Sequence, residues 1–191
     1  MKSATFAIAK RLMLGKFLVQ TEWSNLQGAC VIAPGLPPAQ PGAITSWVSA
    51  SDNMQHIAYI GGNGHVIELY MHPGQQPWAY DNVTTTAGAP TAQSGAITSW
   101  MSASDNMQHI ACIVGNGHVI ELYMHPGQGS WAHDDVTMTA GAPTVQSGAI
   151  TSWMSASDNM QHIACIGGNG HLIELYMRPG QQPWAYDDAS L

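Results

Sequence analysis

Charge, and positive charge above all, is what this chain has least of. Only 9% of its 191 residues are charged, with Lys plus Arg 5 against Asp plus Glu 12. Four of those bases, Lys2, Lys10, Arg11 and Lys16, crowd the amino terminus, and from Gly42 onward Arg178 alone carries a fixed positive charge. A phosphate backbone or an anionic bilayer surface is held by clustered cations. No nucleic-acid partner is therefore expected. No run of eighteen residues is free of polar side chains, so no membrane insertion by a spanning helix is expected either.

Cysteine is also rare and odd in number. Cys112 and Cys165 hold the same place in successive repeats, too far apart to bridge, so they read as small buried hydrophobes beside a third, Cys30. No segment carries a 3.6-residue apolar period. The nine histidines lack His-x-x-x-His or Cys-His spacing, and Ser51-Asp52-Asn53 and Asp134-Asp135 lack the alternation of a calcium loop. There is no Gly-x-Ser-x-Gly elbow and no phosphate-cradling glycine loop. The expectation is a protein with no metal, no cofactor and no catalysis. A surface of Ser, Thr, Asn, Gln, Gly and aromatic residues suits a neutral, hydrogen-bonding ligand. Met1–Gln20 begins basic, but Lys10, Arg11 and Lys16 interrupt it. Its longest clean run, Ala4–Ala9, is shorter than the roughly 7–15 residues of a signal-peptide core. A cytoplasmic protein, or one secreted without a clear signal peptide, is the expected address.

What the chain does have is a repeat. GAITSW recurs at Gly42, Gly95 and Gly148, a spacing of 53, and the copies at 42–94 and 95–147 differ at only nine positions. The third copy occupies 148–191, and 1–41 reads as a degenerate partial unit or leader. Within one copy, Ile44–Ala50, Met54–Ile60, His65–Met71 and Trp78–Thr86 read as four strands. Gly61-Gly62-Asn63-Gly64 is a hairpin signal of the type I′ kind, and Pro73-Gly74 and Ala87–Pro90 close the later strands. Four short strands per repeat in a meander make an all-β fold. A β-propeller blade of about 40–50 residues fits this unit; a β-trefoil or a β-prism is the alternative. The first forty residues favour the propeller. Trp23 through Pro41-Gly42 reads like the fourth strand and tail of a preceding unit, with Phe6–Ala9 and Lys16–Val19 as its worn earlier strands.

The run from Gln108-His109-Ile110 through Gly117-His118-Val119-Ile120-Glu121-Leu122-Tyr123 to Trp131-Ala132-His133-Asp134 and Ala140-Gly141-Ala142-Pro143 resembles a bacterial repeat of the form QHVVYRGxDGHIHELWW…WxHxDLTxxAGAP. That repeat is a blade of the fucose-specific lectin superfamily of six- and seven-bladed β-propellers. Trp23-Ser24-Asn25-Leu26-Gln27-Gly28 resembles the W-S-x-W-x-x-L-G-G strand of its seven-bladed bacterial members. In its fungal members an Arg on the second strand and a Glu on the third grip the sugar, and an aromatic ring of a neighbouring blade stacks on it. The resemblance therefore implies sugar-gripping roles for Glu68, Glu121 and Glu174. The second strand offers Gln-His (His56, His109 and His162) where the family has Arg, so the resemblance implies a sugar without implying fucose.

Each residue also has an architectural reading. Trp47, Trp100 and Trp153 sit mid-strand and read first as core; Trp78, Trp131 and Trp184, at a strand start, read equally as core or as stacking platforms. Strand alternation puts Val66, Glu68, Tyr70 and His72 on one face and His65, Ile67, Leu69 and Met71 on the other, the second set being the core. Glu68 is then a ligand contact or the acceptor for a turn or an indole. The expectation is a multivalent lectin binding neutral glycans. In it Glu68, Glu121 and Glu174 accept sugar hydroxyls, Trp78, Trp131 and Trp184 stack, and His56, His109 and His162 replace the missing Arg. Repetition favours binding over catalysis, because linked equal sites raise avidity. A homodimer completing a six- or seven-bladed ring is expected, since exposed strand edges and end faces invite self-association. The rivals are an interaction scaffold in which every Trp and Glu is architectural, and a truncated or fragmentary repeat array.

Overall fold

A computed structural model describes residues 36–74, 78–178 and 183–191. The partial unit proposed for 1–41, with Trp23–Gly28, Cys30 and its worn strands, lies almost wholly outside the described residues. The described part is three four-stranded antiparallel sheets, each a meander in sequence order. The first holds β1 (Ala39–Val48), β2 (Gln55–Gly61), β3 (Val66–Met71) and β4 (Ala79–Asn82). The second repeats it as β5 (Ala92–Met101), β6 (Gln108–Val114), β7 (Val119–Met124) and β8 (Ala132–Asp135). The third does so as β9 (Val145–Met154), β10 (Gln161–Gly167), β11 (Leu172–Met177) and β12 (Ala185–Asp188).

The sheets pack face to face, and their first strands lie side by side. The Thr45 and Ser99 hydroxyls meet at 2.7 Å between β1 and β5, and those of Thr98 and Ser152 at 2.7 Å between β5 and β9. First strands together and fourth strands outward is the radial arrangement of propeller blades, and it sets aside the trefoil and the prism.

Two local readings are corrected. The segment read as one strand to Thr86 is a four-residue strand followed by a single helical turn, α1 (Val83–Ala87), repeated as α2 (Val136–Ala140). The reason is capping: Asn82 Oδ1 accepts from the Thr85 N–H and Asp135 Oδ1 from the Met138 N–H, while Gly88 and Gly141 end the turns in the left-handed region. The Thr84 hydroxyl then accepts from the Val66 N–H at 2.8 Å, fastening α1 to β3. The β2–β3 turn is also not type I′. Gly64 alone in it has positive φ, +78°, and its N–H closes on the Gly61 carbonyl at 2.8 Å. This is the turn-plus-bulge form. A Cβ on Gly64 would sit 3.0 Å from the Ala92 carbonyl oxygen, so glycine here also admits the next blade's first strand.

Burial corrects a third reading. Val66, Ile67 and Glu68 are all 2% exposed or less, so both faces of β3 are core. One apolar cluster joins Ala43, Trp47, Val66 and Val83 of the first blade to Ile97, Ile110, Leu122 and Trp131 of the second. A second cluster repeats it between the second and third blades around Trp100, Val136, Ile163 and Trp184. Cys112 and Cys165 lie in these clusters as free, buried thiols. Burial pushes both up to about 12.

Candidate functional site

The register of the first sheet gathers one polar cluster. Trp47 on β1 pairs with His56 on β2, and His56 pairs with Tyr70 on β3. Glu68 lies two residues before Tyr70, hence diagonal to His56 on the same face. His56 Nδ1 and Glu68 Oε1 are 2.7 Å apart. The Trp47 ring stacks on His56 with centroids 4.9 Å apart and planes 4° from parallel.

The second blade completes the cluster. Trp131, at the head of β8, donates its indole N–H to Glu68 Oε2 at 3.3 Å and packs edge-on against Trp47. Gln108, at the start of β6, accepts the Trp47 indole N–H at 2.9 Å. Glu68 thus takes one hydrogen bond from its own blade and one from the next. That double acceptance lets a carboxylate 2% exposed remain in an apolar junction. His56 Nε2, on the far side of the ring, is buried and meets no polar protein atom.

Above this cluster a cleft of about 500 Å³ opens between the two blades. His56, Glu68 and Trp131 line its depth; Tyr70, Tyr80 and Asp81 line it from the first blade, and Gln108, Met124, His125 and Gln128 from the second. Tyr80 is 45% exposed, an aromatic face turned to solvent. Asp81 is the cross-strand partner of Glu68, and the Thr86 hydroxyl donates to it at 2.8 Å. The cleft therefore combines carboxylate acceptors, amide side chains and aromatic surface, and among the described residues no group of His, Cys, Asp and Glu is placed to hold a metal.

The second junction repeats the cluster. His109 Nδ1 meets Glu121 Oε1 at 2.7 Å, Trp184 donates to Glu121 Oε2 at 3.2 Å, Trp100 stacks on His109, and Gln161 accepts from Trp100 at 3.0 Å. His109 Nε2 is likewise buried without a polar protein partner. At the described positions matching the first cleft, two side chains change: His133 stands for Tyr80 and Arg178 for His125.

The third blade carries half a cluster. His162 and Glu174 meet at 2.8 Å and Trp153 stacks on His162 with planes 1° from parallel. Trp153 is 41% exposed, against 9% for Trp47 and 5% for Trp100.

Of the residues singled out from sequence, Glu68, His56 and Trp131 are thus brought together, as are Glu121, His109 and Trp184. Glu174 and His162 are together, among the described residues with no tryptophan donating to Glu174, and Trp78 is half-buried on the first blade. Trp131 and Trp184 are 4% and 1% exposed, with their indole N–H groups turned onto glutamates. Sequence reasoning passed over Gln108, Gln161, Tyr70 and Tyr80. The strand-start position of the glutamines was the available signal, since an amide there faces the neighbouring blade.

No protein-family model matches the chain, and no curated protein matches it by sequence. Solved structures do match. A fucose lectin from Kordia zhangzhouensis, in complex with methyl-fucoside, shares 20% identity at a TM-score of 0.51, covering 78% of this chain and 99% of that one. A lectin from Burkholderia pseudomallei shares 12% at 0.65, over 83% of this chain and 44% of that one. The Aleuria aurantia lectin, described as a six-bladed β-propeller, shares 12% at 0.55, over 80% and 50%. The chain thus spans the Kordia protein but only about half the length of the other two. At such identities the likeness is one of fold, and it agrees with the radial sheets: the described residues are three consecutive blades of a β-propeller.

Proposed function

We propose that this protein is a multivalent, non-catalytic lectin for neutral glycans, with one site in each cleft between consecutive blades. The observation that carries this reading is the open cleft over a hydrogen-bonded His–Glu pair at the first junction, a pair that recurs on the second and third blades. At the first junction the cleft has room for a sugar ring, and Tyr80 and Tyr70 offer aromatic faces to its C–H bonds. Glu68, Asp81 and Gln108 offer acceptors and donors for its hydroxyls. His56 stands where the resembled family has Arg, and Trp131 backs the carboxylate as part of the cleft wall. Glu121, His109 and Trp184 serve the second cleft in the same way, and Glu174, His162 and Trp78 belong to a third. The names of the structurally similar lectins support a sugar ligand. A homodimer that completes the ring belongs to this reading, because unpaired strand edges and end faces favour self-association.

The test is a broad glycan array with three proteins: the wild type, a triple Glu68→Gln, Glu121→Gln, Glu174→Gln variant, and Tyr80→Ala, which changes an exposed residue and spares folding. Specific wild-type binding that falls in the variants is the expected result. A blank array from folded wild type overturns the reading. One observation favours a second reading, an interaction scaffold: the Glu68 carboxylate and the Trp131 indole are buried and satisfy each other. A blank array together with a stable assembly selects that scaffold.

A further inference from the structure

The cleft at the first junction gathers negative charge with no fixed positive charge beside it. Glu68 on β3 and Asp81 on β4 are cross-strand partners, so their side chains stand side by side on one face of the sheet. Both line the cleft, and Asp52 lines it as well. Like charges directly opposite each other on a sheet are destabilising, and a positive group placed against them relieves the repulsion. The sequence supplies no fixed cation for that purpose. No Lys or Arg stands between Gly42 and Met177, the stretch that builds both walls of the cleft. Asp81 accepts from the Thr86 hydroxyl at 2.8 Å and Glu68 from the Trp131 indole N–H at 3.3 Å, and both of these donors are neutral.

His56 points the same way. It lines the cleft but is only 3% exposed, flanked by Trp47 and Tyr70 from the strands on either side. Glu68 occupies its Nδ1, which leaves the edge carrying Nε2, and no polar protein atom meets that nitrogen. With the Nδ1–H given to the carboxylate, Nε2 of a neutral imidazole is an acceptor. The cleft therefore presents a buried lone pair and paired carboxylates, all of which call for donors. Tyr80, 45% exposed, and Tyr70 add aromatic faces, which attract a cation. An ammonium group meets each of these demands, with three N–H donors, one positive charge and no acceptor. We propose that the first cleft takes a sugar bearing a protonated amino group, its ammonium held by Asp81 and by Nε2 of His56. The proposal rests on the reading of the cleft as a sugar site and adds one ligand class at that junction alone. At the second junction Asp134 also stands opposite Glu121, but His133 replaces Tyr80 and Arg178, a fixed cation, replaces His125.

The test is a calorimetric titration of the full chain with three matched sets of sugars. Glucosamine, galactosamine and mannosamine are each compared with their N-acetyl form and with the parent hexose. The ring is constant within a set, and only the charge and donors at one position change. In at least one set the amine is expected to bind about tenfold more tightly than both neutral forms, since a hydrogen bond to a charged group is the stronger kind. Two variants locate the effect. Asp81→Asn keeps the shape and the Thr86 contact, and it should lower the ratio of amine to hexose affinity about tenfold. Asp134→Asn removes the same charge from the second blade and should leave that ratio as in wild type. Neutral forms that bind as tightly as the amine in every set overturn this proposal and leave the lectin reading standing. No binding in any set overturns the proposal, and the glycan array then decides the lectin reading separately. Equal loss of the ratio in both variants overturns it as well, because the preference is then one of net charge. Amine binding that needs added calcium and vanishes with EDTA does the same, marking the carboxylates as a metal site.

Discussion

The indole N–H of Trp131 reaches Glu68 Oε2 at 3.3 Å across 63 residues of sequence, and Trp184 reaches Glu121 over the same span at 3.2 Å. A glutamate in one blade is therefore held in place by a tryptophan of the next. Removing that donor leaves a buried carboxylate oxygen without its partner, which costs about 1–3 kcal/mol. Trp131→Phe, which keeps most of the ring, should lower stability by that amount in urea unfolding. A double-mutant cycle with Glu68→Gln should show a coupling of roughly 0.5–3 kcal/mol. Simple additivity would show the two residues to be independent.

The buried thiols give an alkaline limb. Cys112 and Cys165 are raised from an ordinary value of 9.0 to about 12 by burial alone. The folded protein keeps these protons where the unfolded chain releases them, so stability is present below pH 9 and falls as pH rises from 9 to about 12. Urea midpoints measured over that range should show less decline in a Cys112→Ala, Cys165→Ala variant. A thiol reagent at pH 8 should leave both cysteines unmodified until denaturant is added, as read by peptide mass mapping.

Gly117 tests the fit between blades. Its φ is +80°, and a Cβ there would lie 3.0 Å from the Val145 carbonyl oxygen and 3.1 Å from Thr144 Cβ. Gly117→Ala combines left-handed strain of roughly 1–2 kcal/mol with a displaced neighbouring strand. Unfolding should therefore occur at distinctly lower urea than for Gly129→Ala, where nothing lies within 4 Å. Equal midpoints would mean that β9 yields freely.

The two internal clefts should not bind alike. Tyr80 and His125 at the first are His133 and Arg178 at the second. Calorimetric titration with a sugar identified on the array should resolve two affinities. Tyr80→Ala should weaken one of them about tenfold, roughly 1.4 kcal/mol, and leave the other in place. A uniform loss at every site would show that Tyr80 acts through the fold.

The repeat, the all-β class and the four strands were legible in the sequence because alternation and turn residues are local signals. The grouping of Glu68, His56 and Trp131 was legible only as a set of repeated residue types. What fixes the geometry is the pairing of His56 with Tyr70, which brings Glu68 onto the diagonal, and the arrival of Trp131 from another blade. Neither is a nearest-neighbour property of the chain. The helical turn at Val83–Ala87 was missed because five residues are too few for a helical period to register, and its cap at Asn82 looks like strand-end chemistry. The face of β3 holding Val66 and Glu68 read as outward because alternation assumes one wet side, and the second blade covers that side here.

The sharing of each glutamate between adjacent blades has a genetic consequence. The sequence period of 53 runs from one GAITSW to the next, so a duplicated unit carries its own His–Glu pair and its own donor tryptophan. The tryptophan serves the preceding copy and the pair awaits the following one. Recombination anywhere within the period therefore inserts a unit with both connectors already matched to its neighbours. Arrays of this kind can lengthen or shorten by whole units without new compensating mutations.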